Sequence, residues 1–297
     1  MTYQHSASNQ PVAIGAGRER NDDIIHSLAR GIELLRAFGP DNDRMTIAQA
    51  AKAARLTRAG ARRILLTLEN LGYVCCDGRQ YWLTARVLEL GQGYLAQPLW
   101  GVVRPTLLSV ARTLNETVSA GVLDGHEVVY TVRTRSSRML QLELHPGARL
   151  PAYALSLGRV LLAALPRAAL DRYFAQVKLV QFTKFTIVDP AALRMRLEQV
   201  RKQGWCHVHD ELEGGVAGVA VPLLDPAGHT VGALNVSINS DRTPVRVVKS
   251  TIVPLLLEAA TSIRKELTAL QEESDAPILP EGQSARIARS SPMLAWR

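Results

Sequence analysis

The chain has 297 residues, 47% of them hydrophobic and 21% charged, and a mean hydropathy of +0.01, which excludes a fibrous or broadly disordered protein. No run reaches the ~18 apolar residues of a membrane helix, and the polar start MTYQHSASNQ is no secretory signal, so the cytoplasm is the expected location and no membrane partner is expected. Three cysteines exclude a disulfide framework, while 35 Lys plus Arg against 27 Asp plus Glu give a net charge of +8 that permits an anionic partner without requiring one.

Residues 1–22 and 272–297, rich in Ser, Gln, Gly and Pro, are expected to be a flexible arm and tail. Between them, Ile24, Leu28, Ile32, Leu35 and Phe38 recur at helical spacing and Gly39-Pro40 ends that helix. A second helix is predicted over Ile47 to Ala54. A third starts at the N-cap Thr57 and ends at Leu71, with Gly72 available for the left-handed C′ position. Tyr73 to Cys76 and Arg79 to Leu83 are β-prone runs around Asp77-Gly78, a two-residue hairpin signal. The order helix, helix, turn, helix, hairpin covers 23–83.

Thr84 to Ala96 predicts an amphipathic helix, continued by a helix from Leu99 to Asn115, and 84–102 is expected to connect two domains. Over 103–271 the pattern becomes mixed. Strands are predicted at Val118 to Leu123 and Val128 to Thr134 around Asp124-Gly125, and near Met139 to Leu144. Helices follow at Ser156 to Ala164, from Arg167, and at Pro190 to Gln203. Two further strands, Gly218 to Leu224 and Thr230 to Ile238, precede a last helix to Leu270. The fold class is therefore α+β, with an antiparallel sheet covered by helices.

Residues 52–63, KAARLTRAGARR, hold Lys52, Arg55, Arg58, Arg62 and Arg63 and no acid. At 100° per residue, Ala61, Ile64, Leu65, Leu68 and Leu71 form the apolar stripe of the third helix, with Gly60 at its edge to admit a neighbouring helix. Ala59, Arg62, Arg63 and Leu66 lie opposite. Such a face is either simply solvated or suited to the major groove, where arginine pairs with guanine and small apolar groups meet thymine methyls. On the second reading Arg62 and Arg63 read bases or phosphates. Thr57 and Arg58 meet phosphate at the helix start, and Arg79 lies near the tip of a wing.

These segments resemble the IclR family of bacterial transcription regulators over about Ile25 to Leu270. The resemblance rests on SLARGIELLRAFGP, MTIAQAAKAARLTRAGARRILLTLENLGYV and YWLTARVLELG, and in the second half on GARLPAYALSLGRVLLA and LEQVRKQGWCHVHDELEGGVAGVAVPLLDPAGHTVGALNVSINSDR. PAYALSLGRVLLAALP and QGW with DELEGGV are similar to the branch that regulates aromatic-acid catabolism through the β-ketoadipate pathway, such as protocatechuate and p-hydroxybenzoate regulators. The resemblance implies a winged helix-turn-helix, a dimerising linker helix and a GAF-like effector domain. It also implies dimers or tetramers on palindromic double-stranded operators, and no enzyme activity.

Along Val231 to Ile238, Gly232, Leu234, Val236 and Ile238 alternate with Val231, Ala233, Asn235 and Ser237. Asn235 and Ser237 either meet water or converge on a polar ligand. The resemblance implies a small-molecule site lined by Ser156, Leu157, Val216, Gly218, Asn235 and Ser237. Such a site suits a small organic acid: N–H groups near Ser156 favour a carboxylate, and Leu157, Val216 and Val219 supply apolar walls. Val208 stands where some relatives carry an acid. Arg133, Arg135 and Arg138 are candidate guanidinium clamps, with Arg133 preferred or else a solvated strand residue, and Tyr153 is a candidate aromatic wall. Cys206, His207 and His209 lack a fourth metal ligand, Ser156 has no GxSxG elbow and GGVAG is an incomplete phosphate loop, so no metal, cofactor or catalytic residue is assigned. A sensor or partner-binding module without specific DNA binding, and an enzyme, are the competing classes.

Overall fold

The computed structural model describes residues 24–134 and 144–273. The arm, the tail beyond Glu273, Arg135, Arg138 and most of the strand expected near Met139 lie outside them, whereas Glu272 and Glu273, expected in the tail, end the last helix. Two compact units divide the chain between Tyr94 and Leu95, within the stretch expected to connect two domains.

In the first unit, α1 (His26–Arg36), α2 (Ile47–Ala53) and α3 (Arg58–Asn70) precede a hairpin of β1 (Val74–Cys76) and β2 (Tyr81–Leu83). Leu34, Met45, Ala50, Ala61, Leu65 and Val74 fill its core. A capping box of Thr46 and Gln49 starts α2. Thr57 Oγ1 accepts from Gly60 N at 3.1 Å to start α3. The turn between these helices forces Arg55 to φ 52°, an uncommon conformation for a residue with a Cβ. Leu71 departs from the predicted stripe: it is the C-cap and 52% exposed, because the chain reverses at Gly72, φ 79°. Among the described residues no neighbouring helix approaches Gly60 closely, since a Cβ there would meet only Thr57 Oγ1, at 3.1 Å. The hairpin loop is longer than two residues, since Cys76 pairs with Tyr81 and Asp77 Oδ1 accepts from Arg79 N and Gln80 N.

The connecting stretch is not one helix. A 3-10 turn, Ala85–Leu88, capped by Thr84, leads into α4 (Glu89–Leu95). The backbone then extends at Gln97 before α5 (Pro98–Leu114), as the residue before proline must. No helix among the described residues is long and apolar enough to cross a membrane.

The second unit is built on a six-stranded sheet in the order β5-β4-β3-β8-β7-β6, every neighbouring pair antiparallel. Its strands are β3 (Thr117–Asp124), β4 (Glu127–Arg133), β5 (Arg149–Pro151), β6 (Cys206–His209), β7 (Val216–Leu224) and β8 (Thr230–Asn239). Helices α6 (Ser156–Ala164), α7 (Arg167–Gln176) and α8 (Pro190–Gln203) follow β5, and a short turn α9 (Val245–Val247) precedes the long α10 (Val253–Glu273). Helix α6 packs on β7 and β8, and α5 and α10 pack on each other and on β3 and β7. Alternation along the strands separates two cores. Ala220 and Ala233 join Tyr130, Leu157, Leu161 and Leu197 in one cluster, while their sequence neighbours Val219, Val221 and Leu234, equally buried, point to the other face.

Two features of this unit position its cavity. Register slips between Ala120 and Gly121 of β3, which pair with Val132 and Tyr130, leaving Thr131 as the extra residue of a bulge in β4. Second, α6 crosses so close to the preceding turn that a Cβ on Gly158 would sit 2.0 Å from the Ala152 carbonyl oxygen. Gly158→Ala therefore displaces backbone and is expected to lower stability by about 2–3 kcal/mol. Thermal unfolding of the purified variant checks this; an unchanged midpoint contradicts the contact.

Candidate functional site

The exposed face of α3 carries Arg58, Ala59, Arg62, Arg63 and Leu66, and the opposite face buries Ala61, Leu65 and Leu68. This is the predicted division, and it follows from the helical repeat alone. Arg58, Arg62 and Arg63 form no ion pair among the described residues, so their charge faces solvent. Thr57 is held as the cap, and Arg79 is exposed in the hairpin loop. The sequence reading missed Arg44. Its guanidinium stacks 4.2 Å above the Trp82 ring and lies 3.8 Å from Asp77, adding a cation beside the hairpin. Backbone N–H groups of Gln80 and Arg79 hold the Asp77 carboxyl below its usual pKa.

A pocket enclosing about 550 Å³ of empty space, part of it open solvent, lies in the second unit. It brings together Ser156, Leu157, Val216, Gly218, Asn235, Ser237 and Arg133 from the predicted set. At its floor a directed chain runs along β8 to α6. Ser237 Oγ donates to Asn235 Oδ1 at 3.0 Å, and Asn235 Nδ2 donates to Ser156 Oγ at 2.8 Å. With Asn235 as its donor, the Ser156 hydroxyl keeps its own proton available to donate. Gly218 makes the chain possible, because a Cβ there would stand 2.6 Å from Ser156 Oγ and 2.9 Å from Asn235 Nδ2. Ser156 also opens α6, which has no side-chain cap, so the first N–H groups lack partners within the helix and favour an anion.

Two residues expected at the cavity lie elsewhere. Val219 is buried on the opposite face, paired with Val236, because it alternates with Gly218 and Ala220. Tyr153 turns away into the 3-10 segment Ala152–Ala154, where its hydroxyl donates to the Val180 carbonyl at 2.8 Å and its ring stacks on Phe182. Tyr130 takes the aromatic position instead. The bulge at Thr131 brings Tyr130 and Arg133 to the same face, opposite Gly121 and Ser119. Burial pushes the Tyr130 phenol up to about 12, so it is protonated at neutral pH and can donate.

Glu211 is a further residue the sequence reading did not single out. Its side chain is nearly buried and lines the cavity close to Val208 in the chain. Arg159, 1% exposed, pairs with it: Nη2 meets Glu211 Oε2 at 2.5 Å, and Nε donates to the Tyr153 carbonyl at 2.8 Å. Ser119, also missed, holds a fully buried hydroxyl without a partner among the described residues. It sits between Arg133 and Asn235 in the strand register.

Cys206, His207 and His209 do not converge, and the described residues hold no group of three side chains able to bind a metal. Burial raises the Cys206 thiol to about 12, which removes it as a thiolate at neutral pH. Burial also lowers the His207 imidazole, assisted by His209 and Arg196.

Both units match known protein families. Residues 95–265 match the bacterial transcriptional regulator IclR C-terminal family, and residues 27–77 match the IclR helix-turn-helix domain. The Pca regulon regulatory protein of Pseudomonas putida is 38% identical over 82% of this chain and 85% of its own length. The p-hydroxybenzoate hydroxylase transcriptional activator of Acinetobacter baylyi is 36% identical over 82% of this chain and 93% of its own. An IclR homolog from Microbacterium hydrocarbonoxydans, solved with 4-hydroxybenzoate, superposes with a TM-score of 0.72 at 26% identity, covering 82% of this chain and 99% of that one. With its amino-terminal helix-turn-helix and its carboxy-terminal ligand-type domain both matched, the chain belongs to the IclR family of bacterial transcriptional regulators.

Proposed function

We propose that this regulator grips palindromic operator DNA as a dimer or tetramer, inserting α3 into the major groove, and that an aromatic carboxylate bound in the cavity changes that grip. Arg62 and Arg63 meet base edges or phosphates, Thr57 and Arg58 position the helix start, Ala59 and Leu66 offer apolar contacts, and Arg79 reaches the adjacent backbone. Action on DNA in a bacterial family supports a cytoplasmic location.

The observation that carries the effector half is the chain Ser237 to Asn235 to Ser156 ending at the uncapped start of α6. It leaves one hydroxyl and several N–H donors available to a single anion, with Arg133 on the cavity wall. Leu144, Leu150, Leu157 and Val216 provide the apolar surface for a ring. The relatives named for Pca and p-hydroxybenzoate regulation, and the neighbour holding 4-hydroxybenzoate, support an aromatic acid.

Arg62→Ala with Arg63→Ala is expected to weaken binding to DNA upstream of its own gene at least about tenfold per residue, with far-UV circular dichroism and melting unchanged. A gel shift at fixed salt reads this, and full operator binding by the double variant removes α3 from the interface. Asn235→Ala and Ser237→Ala are each expected to weaken an aromatic acid about tenfold by calorimetry while leaving operator affinity without acid intact. Wild-type affinity in both variants would empty the floor of its assigned role.

A further inference from the structure

The aromatic-acid reading leaves one polar group in the cavity without work. Glu211 is 7% exposed and lines the cavity, yet both of its side-chain hydrogen bonds fall on one oxygen. Oε2 accepts from Arg159 Nη2 and from the Ile187 backbone N–H at 3.1 Å. Oε1 accepts none among the described residues, and it is not among the buried polar atoms sealed from solvent. A nearly buried carboxylate with one oxygen anchored on both sides and the other open to a cavity is costly unless something donates to it.

Several contacts fix this carboxylate in place. Thr186 Oγ1 donates to the Glu211 carbonyl at 2.6 Å, and Thr183 Oγ1 donates to the Asp210 carbonyl at 2.6 Å. Together with Ile187 N they tie the segment before α8 to this corner. Arg159 has its own Nε anchored on Tyr153, so it balances the charge of Glu211 from the side away from its free oxygen. These contacts hold the carboxylate in place, and its free oxygen belongs to a residue that lines the cavity.

Resting on the aromatic-acid reading, we infer that Glu211 Oε1 is the acceptor for a hydroxyl on the effector ring, and that the cavity therefore selects a hydroxy-substituted aromatic monocarboxylate. The cavity then has two unlike polar sites. Ser156, the start of α6 and Arg133 donate to the acid's carboxylate, whereas Glu211 accepts and repels. A second anionic group on the ligand meets a like charge there, so aromatic dicarboxylates are rejected. A ring without a donor leaves the buried oxygen unpaired.

Calorimetry on the full-length wild-type chain tests this with benzoate, 3- and 4-hydroxybenzoate, 4-methoxybenzoate and terephthalate. The better hydroxybenzoate is expected to bind about tenfold to a hundredfold tighter than benzoate, since a hydrogen bond to a charged group is of that order. The methoxy acid, which cannot donate, is expected to bind no better than benzoate, and terephthalate worse. Glu211→Gln in an Arg159→Met background, which leaves no lone buried charge, is expected to lose the hydroxyl preference and regain terephthalate. Benzoate or the methoxy acid binding as tightly as both hydroxybenzoates overturns the role of Glu211 and leaves the aromatic-acid reading standing. Failure of every acid in the panel to bind overturns both.

Discussion

The effector unit depends on how closely α6 lies against the chain beneath it. Glycine at 158 lets the start of the helix sit on the Ala152 backbone, and glycine at 218 leaves the gap in which Ser156 and Asn235 meet. With any side chain at either point, α6 lifts or the hydrogen-bonded chain breaks. The uncapped helix start, the available Ser156 hydroxyl and the apolar walls all follow from that approach. The small residues therefore matter more to the cavity's chemistry than the large ones around it.

The DNA-facing unit spends its stability differently. Its helices are fixed by local signals, the capping box at Thr46 and the Thr57 hydroxyl, and by a compact core around Leu34, Ala50 and Leu65. None of that stabilisation uses the arginines of α3. Among the described residues they form no ion pair, so the DNA contact proposed for them need not first break an internal one. Leu66, 40% exposed on the same face, remains dispensable to the core for the same reason.

Much of this was legible in the residues. Helical spacing, the Thr57 cap and Gly72 set α3 within a residue of its observed bounds, and alternation put Asn235 and Ser237 on one face. Other features needed long-range contacts. Thr84 to Ala96 has a helical pattern, but Thr84 capping and the Gln97-Pro98 pair impose a break that periodicity does not register. Val219 is the exception, since alternation along the predicted strand already sets it opposite its neighbour Gly218. Tyr153 reads as an aromatic wall, yet its phenol has a partner at Val180, far along the chain. Glu211 lies in a quoted motif with no role assigned, because nothing local reveals that Arg159, on another element, is buried against it.

The bulge in β4 has a consequence for how this strand can change. Thr131 is the one residue that breaks strict alternation, and its hydroxyl bonds the Ala120 carbonyl at 3.2 Å. Removing that one residue would restore regular pleating and keep the same pairs, Tyr130 with Gly121 and Arg133 with Ser119, so both side chains would stay on the cavity face. Pairing all the residues without a bulge would instead set Thr131 against Ala120 and Val132 against Ser119, and turn Arg133 to the other face of the sheet. One surplus residue in the strand is therefore what lets a cation, rather than an aliphatic group, stand on the cavity wall.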